Sequence, residues 1–505
     1  MRRSIRKCLL SCALVVFAAS VLFPPYCAVS EIQTQPSTST IKNVAITILV
    51  DSATYEKFAA WIAPYGEGFH NFTFIIDSEN SSFQWFLGNQ TRIEFLTGIG
   101  EVIPLLSAVS PDGYTPGYIQ TVSPAERIQI VDRTINEWKT SLGHVPSGVF
   151  MFQPDTLVSN HLESQNVTYI LGYCFEQYTV DWMTMRGGWQ LPYYASSEHA
   201  LMPENQSKFG TLILPWLTWD WIDSLTLSHN YNTHIIDTRD SQLNLTNPDD
   251  YIIQLIDENL ASCSPIAYSA FSFEFDWLDY YASTTDSSIF DEVNNILNHL
   301  IGNNSYPKLS ADNFTKWFTQ NYEITPTYSV SFTSPHSNQS IEWFYSQSSR
   351  VARTNGTVFS FVDYTKQQED KYLNAVATVN FSEPRSITNC IDNSLIFSID
   401  ALGGGMYRAP VQGQGVEYSG NLADFMESYY NGSPEPGTTQ PPQYPVLPSF
   451  PSSTIVSPTP TPVESPEIPE NMGVITLVVL TALLTCFALF SRIKLRHTRS
   501  QNSLT

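Results

Sequence analysis

At 505 residues, the chain is long enough for two or three domains. It carries 25 basic against 48 acidic residues, a net charge of −23, and eight of the basic ones sit in its two ends. A surface this acidic repels nucleic acid and anionic lipid, which excludes both as partners. Seven cysteines, of which only Cys174, Cys263 and Cys390 lie outside the two apolar ends, exclude a disulfide scaffold.

Residues 1–30 read as a secretory signal. Arg2, Arg3, Arg6 and Lys7 precede an apolar run from Leu9 to Phe23, and Ala28-Val29-Ser30 is a small-residue exit. Asn43 to Val50 is β-branched, apolar and ends at Asp51, which predicts a first strand. Ala53 to Ile62 reads as a helix, Phe72 to Ile76 as a second strand and Val102 to Leu106 as a third. A polar loop holding Asp112 follows.

The next stretch is the most regular in the chain. Ser123 is an N-cap, Pro124 fits the first helical position and Glu126 completes a capping box. Ile128, Val131, Ile135, Trp138 and Leu142 recur at helical spacing, and Gly143 ends the helix. Val149 to Phe152 then has the length of a buried parallel strand, with Gln153 and Asp155 at its C-terminal end.

Val167 to Tyr173 is a fifth strand, followed by an aromatic loop with Trp189 and His199. Thr211 to Leu217 leads into Thr218, Trp219, Asp220 and Trp221. A helix at Tyr251 to Leu260 precedes the last strand, Ile266 to Phe275, which carries Glu274 and runs into Asp276 and Trp277. Phe290 to Ile301 is an amphipathic helix. Alternation of strand and helix over residues 43–306 predicts a parallel (β/α)7-type barrel in an α/β chain.

Residues 307–430 change texture: a capped helix at Ser310 to Tyr322, then alternating runs at Tyr328–Phe332, Val358–Val362, Ala375–Phe381 and Leu395–Ile399. They predict a small all-β domain of the sandwich type. Residues 431–470 are dense in Pro, Ser and Thr and read as a stalk. Met472 to Phe490 holds no charge and as a helix spans about 28 Å, enough for a bilayer core. Arg492, Lys494, Arg496 and Arg499 then predict a cytoplasmic tail over 491–505, with the ectodomain outside the cell. Asn71, Asn80, Asn89, Asn166, Asn205, Asn244, Asn303, Asn313, Asn338, Asn355, Asn380 and Asn431 all head Asn-x-Ser/Thr triplets, about twice the number composition gives by chance.

The order of helix, Gly143, Pro146, strand and Gln153-Pro154-Asp155 resembles that of the polysaccharide-deacetylase (NodB-like) and family-57 glycoside hydrolase superfamily. The resemblance could extend from Asn43 to Asn304. It implies carboxylates at the ends of the fourth and last strands, so Asp155 with Glu274 or Asp276 is the catalytic pair to test, and Asp51 is a further candidate. Asp112, Trp189, His199, Trp219, Asp220 and Trp277 are candidates for binding a glycan, because aromatic faces stack on sugar C–H groups. Metal-dependent deacetylation would require paired Asp after the first strand and two His after the third. Here Asp51-Ser52 offers one Asp, and Glu101 to Gln120 holds no His. The expectation is therefore a carbohydrate-active protein with no metal and no cofactor. The alternative is a recognition or structural protein on an inactivated barrel. His229 and His234, five apart, read as surface or packing residues.

Overall fold

A computed structural model describes residues 40–77, 81–108, 119–172, 183–186, 189–204, 210–226, 231–239, 243, 245–365, 370, 373–376, 387–390, 416–417 and 420–424. The signal, Asp112, Cys174, His229, the stalk, the apolar span 472–490 and the basic tail lie outside these residues. So do two of the predicted β runs, in whole or for the most part. Among the described residues no helix is long and apolar enough to cross a membrane.

Sixteen strands are described. They are β1 (Ile41–Val50), β2 (Phe72–Asp77), β3 (Gly100–Leu105), β4 (Gly148–Met151), β5 (Tyr169–Gly172), β6 (Met183–Arg186), β7 (Tyr193–Tyr194), β8 (Leu212–Pro215), β9 (Cys263–Ser264), β10 (Ile266–Glu274), β11 (Tyr328–Thr333), β12 (Ser340–Tyr345), β13 (Ser349–Thr354), β14 (Thr357–Asp363), β15 (Ile387–Cys390) and β16 (Val416–Glu417). One curled sheet has the order β10-β1-β2-β3-β4-β5-β8-β7, all parallel except the short edge strand β7. The seven parallel strands are the seven predicted ones. β1 and β10 are buried along almost their whole length, as strands covered on both faces are.

No ladder joins β8 to β10 among the described residues, so the sheet is an open, barrel-like curl. Hydroxyl groups fill the seam. Ala270 N donates to Thr218 Oγ1 at 2.8 Å, and Thr218 Oγ1 meets Ser269 Oγ at 2.7 Å. Thr233 Oγ1 donates to Ala270 O at 2.6 Å and accepts from Thr218 N at 3.0 Å. Ser272 bonds the Trp216 carbonyl and Thr47. Backbone groups that a closed ladder would pair are thus satisfied by side chains, as buried backbone must be.

The helices are α1 (Tyr55–Gly66), α2 (Ser81–Leu87), α3 (Gln90–Ile99), α4 (Pro124–Leu142), α5 (Thr156–Ser164), α6 (Asp223–Thr226), α7 (Ile235–Thr238), α8 (Pro248–Ser262), α9 (Phe275–Thr284), α10 (Ile289–Gly302) and α11 (Ala311–Asn321). The ends of α4 are as predicted. Ser123 Oγ accepts from Glu126 N, and Gly143 is left-handed at φ 79° with its N–H on Lys139 O. Its buried row differs: Arg127, Ile130 and Thr134 face inward with Val131, Ile135 and Trp138, while Ile128 and Leu142 are half-buried. Arg127 is drawn in because its guanidinium reaches Asp155 at the end of β4.

The second sheet runs β16-β14-β13-β12-β11-β9, and every pairing in it is antiparallel. Its edge strand β9 lies just before β10, so the sheet is spliced onto the barrel at Cys263 and Ser264. Trp189 seals the junction. It is fully buried, donates to Tyr364 Oη at 2.8 Å and packs against Tyr193, Tyr328 and Tyr345.

Thr218→Val leaves the Ala270 N–H buried and unpaired. It should lower stability by about 1–3 kcal/mol, read as a lower urea midpoint with unchanged slope, and Thr218→Ser should recover most of the loss.

Candidate active site at the strand ends

The C-terminal ends of the parallel strands form the rim where β/α barrels place their chemistry. The structure sorts the predicted rim residues into three groups.

The first group stands at the ends of β1 and β10. Glu274 ends β10, Asp276 lies in the first turn of α9, and Asp51 follows β1, which pairs with β10 through Leu49 and Glu274. Asp51 caps the entry to α1 by accepting from Thr54 N at 2.9 Å. Burial pushes the Asp276 carboxyl up to about 6, and the negative charges of Asp51 and then Glu274 push the same way. Its Oδ1 is buried without a hydrogen-bond partner. Glu274 Oε2 lies 2.7 Å from His234 Nε2, and His234 Nδ1 lies 3.5 Å from Asp237 Oδ1. Burial alone would lower the His234 pKa. The charges of Glu274 and Asp237 outweigh it and hold the imidazole well above its ordinary value, which favours its protonated form between the two carboxylates. Beside this cluster Trp277 and Tyr280 project from α9, 55% and 60% exposed, their rings edge to face at 5.9 Å.

His234 is thus the rim residue that the sequence left among ordinary packing residues. It sits in no periodic run. It caps α7, and 40 residues of sequence separate it from the carboxylate it pairs with. Asp77, which ends β2 and accepts from Ser107 Oγ at 3.0 Å, is a further rim acid. Its sequence cue is that it ends its strand as Asp51 follows its own.

The second group surrounds Asp155, which is 1% exposed. Its Oδ1 accepts from Val158 N at 2.8 Å and caps α5, while Oδ2 accepts from Arg127 Nη1 at 3.0 Å. Burial pushes its carboxyl up to about 6 against the pull of Arg127. Arg127 also reaches the Ala375 carbonyl, and Thr156 Oγ1 donates to Asp370 Oδ2 at 2.5 Å, so a segment that follows β14 covers this end of β4. Both oxygens of Asp155 are committed. The structure gives it a cap and an ion pair, apart from the Glu274 group.

The third group lies under the second sheet. Asp220 is fully buried, and its Oδ1 accepts from Ile222 N at 3.0 Å and Asp223 N at 2.8 Å. Asp223 Oδ2 accepts from Ser334 Oγ at 2.8 Å, its Oδ1 from Ser337 Oγ at 2.5 Å, and His336 Nδ1 lies 3.0 Å from Oδ2. The turn between β11 and β12 therefore docks on Asp223. Burial, then the Asp223 charge, pushes Asp220 up to about 7. Trp219 is buried and His199 is buried with Nδ1 accepting from Leu201 N at 3.2 Å. Of the residues expected to face a glycan, Trp277 alone is exposed among the described ones, whereas Trp189, His199, Trp219 and Asp220 are interior.

A cavity of about 460 Å³ opens at the opposite rim, bounded by Trp138, Leu142, Ser147, Thr168, Asp312 and Lys316. Glu101 lies in its wall, and burial pushes its carboxyl up to about 7. The same carboxylate accepts from Asp312 N at 2.9 and 3.1 Å, at the start of α11, so it belongs to the joint that holds α11 on the barrel. Among the described residues, no group of three or more His, Cys, Asp or Glu is arranged to hold a metal ion.

No protein-family model and no curated protein sequence matches this chain. Among solved structures, a protein from Parabacteroides distasonis described as a glycoside hydrolase/deacetylase overlaps 79% of this chain and 100% of its own, with TM-score 0.57 and 13% identity. A polysaccharide deacetylase from Mycobacterium smegmatis overlaps 58% of this chain and 95% of its own, at TM-score 0.34 and 8% identity. A 4-alpha-glucanotransferase from Thermococcus litoralis overlaps 66% of this chain and 68% of its own, at TM-score 0.25 and 8% identity. The second and third overlaps are too shallow to bear on the architecture. The first shows a shared fold.

Two outcomes separate these groups. Asp155→Ala strands the buried Arg127 charge and should cost about 3–5 kcal/mol, visible as a large drop in urea midpoint. Asp220 has a raised folded pKa, so its stabilising contribution is complete below about pH 4 and is lost as pH rises through about 7. Asp220→Asn removes that titration. The stability of wild type relative to the variant should therefore fall between about pH 4 and pH 7 and level off above that, measured by urea midpoints at each pH.

Proposed function

We propose that this protein is a carbohydrate-active ectodomain, held at a membrane by residues 472–490, that binds and hydrolyses a glycan at the β1/β10 end of its curled sheet. The observation that carries this is the meeting of Asp51, Glu274 and Asp276 on one rim with an exposed Trp277–Tyr280 pair beside them. The overlap with a structure described as a glycoside hydrolase/deacetylase supports the substrate class.

Hydrolysis of a glycosidic bond needs one carboxyl to protonate the leaving oxygen and another to act as nucleophile or base. Asp276, pushed up to about 6, retains a protonated fraction near neutral pH and takes the acid role. Glu274 takes the opposite role, its carboxyl held by His234 Nε2 at 2.7 Å. Trp277 and Tyr280 offer apolar faces to the sugar, whose stacking orients the bond over the carboxyls. No metal or cofactor enters this scheme.

The second reading is a recognition protein. It is favoured by Asp155, the fourth-strand carboxylate that the family resemblance would make catalytic, being bound to Arg127 and the α5 cap.

Hydrolysis assays on an oligosaccharide panel distinguish the two. In the catalytic reading Asp276→Asn lowers kcat by a factor on the order of a hundred or more, and wild-type activity declines as pH rises above about 6, because the acid must be protonated. Trp277→Ala raises KM with a smaller effect on kcat. Glycan binding by the wild type without turnover establishes the recognition protein in its place.

A further inference from the structure

Three non-glycine residues among those described have positive φ: Asn166 at 63°, Asn338 at 57° and Asn355 at 50°. Each heads an Asn-x-Ser/Thr triplet, and each is exposed. All three stand on turns that lead into or toward a strand. Asn166 closes the turn after α5, Asn338 lies in the β11–β12 turn, and Asn355 lies between β13 and β14.

Asparagine tolerates the left-handed region, but glycine occupies it at lower cost. A reason for asparagine would normally be sought in a side-chain hydrogen bond. At two of these positions the fold uses only the backbone: Asn166 N donates to Glu163 O and Asn338 N to Ser334 O. No side-chain contact of the three is found among the described residues. The other four described triplets behave differently. Asn89 Oδ1 caps α3 by accepting from Arg92 N, Asn303 Oδ1 accepts from Ser305 N, and Asn313 Nδ2 donates to Asn71 Oδ1 at 3.3 Å. The fold thus divides the seven described triplets into four whose side chains it hydrogen-bonds, through Oδ1 at Asn71, Asn89 and Asn303 and Nδ2 at Asn313, and three whose side chains it leaves idle on turn tips.

We infer that Asn166, Asn338 and Asn355 are N-glycosylation sites. The donor class is a lipid-phosphate-linked oligosaccharide. The sugar C1–O bond to the phosphate breaks, a C1–Nδ2 bond forms, one Nδ2 proton is lost to base and the lipid phosphate leaves. The reaction takes place while the chain crosses an export membrane, so the inference rests on the signal and orientation read from residues 1–30 and 472–499. It does not depend on what the rim carboxylates do. A glycan on these tips extends into solvent and displaces no packed side chain, which is the condition for it to persist on the folded protein.

The test is glycopeptide mapping of the full chain purified from membranes of its native host, with fragmentation that preserves the sugar and assumes nothing of its composition. Glycan is expected on Asn166, Asn338 and Asn355, at higher occupancy than on Asn71, Asn89, Asn303 and Asn313. Replacing each of the three by Gly, which the left-handed backbone accepts, should remove one glycan mass per substitution and leave the urea midpoint of the deglycosylated protein close to that of wild type. A bare residue among the three, or equal occupancy of the other four, overturns the inference. Failure of hydrolysis in the glycan assays would leave it standing.

Discussion

The open seam between β8 and β10 governs much of this molecule. A parallel sheet that curls without a ladder between β8 and β10 leaves backbone groups of β10 and of the segment after β8 inside the protein, where each unpaired group is costly. The chain answers with short hydroxyl side chains, Thr218, Thr233, Ser269 and Ser272, which act as both donors and acceptors and fit where a strand would not. Residues 231–233 are thereby tied against β10, and the segment that follows carries His234 to Glu274. The seam places His234.

Burial then decides the fate of each rim acid. A carboxylate removed from water must find a cation, a set of N–H donors or a proton. Asp155 finds Arg127 and the α5 cap. Asp220 and Asp223 find backbone N–H groups and the docked turn, and Asp220 is driven toward its protonated form. Asp276 is only partly compensated, and it is the one beside exposed aromatic rings. Residues that look alike in the sequence, each an acid near a strand end, are separated in role by what packs against them.

The second sheet is part of that sorting. Spliced on at β9, it covers Trp189, Asp223 and, through the segment after β14, the Asp155 side of the rim. It leaves the β1/β10 side with its aromatic pair exposed. The second sheet therefore acts here as a cover that confines access to one end of the parallel sheet.

The sequence by itself determined the elements of the barrel. Runs of apolar β-branched residues placed all seven parallel strands to within about two residues at each end. Ser123, Pro124 and Gly143 fixed the ends of α4, because caps are local chemistry. Asp51, Glu274 and Asp276 were legible as strand-end acids for the same reason, and Trp277 as their neighbour. The inward turn of Arg127, the interior placement of Trp189, His199, Trp219 and Asp220, and the pairing of His234 with Glu274 were not legible. Each depends on contacts between segments tens to hundreds of residues apart, such as Trp189 with Tyr364, or Arg127 with Asp155 and Ala375. Periodicity reports which face of an element is apolar. Which polar residues that face also buries, and against which charge, is set when distant elements meet, and there the tertiary structure alone decided.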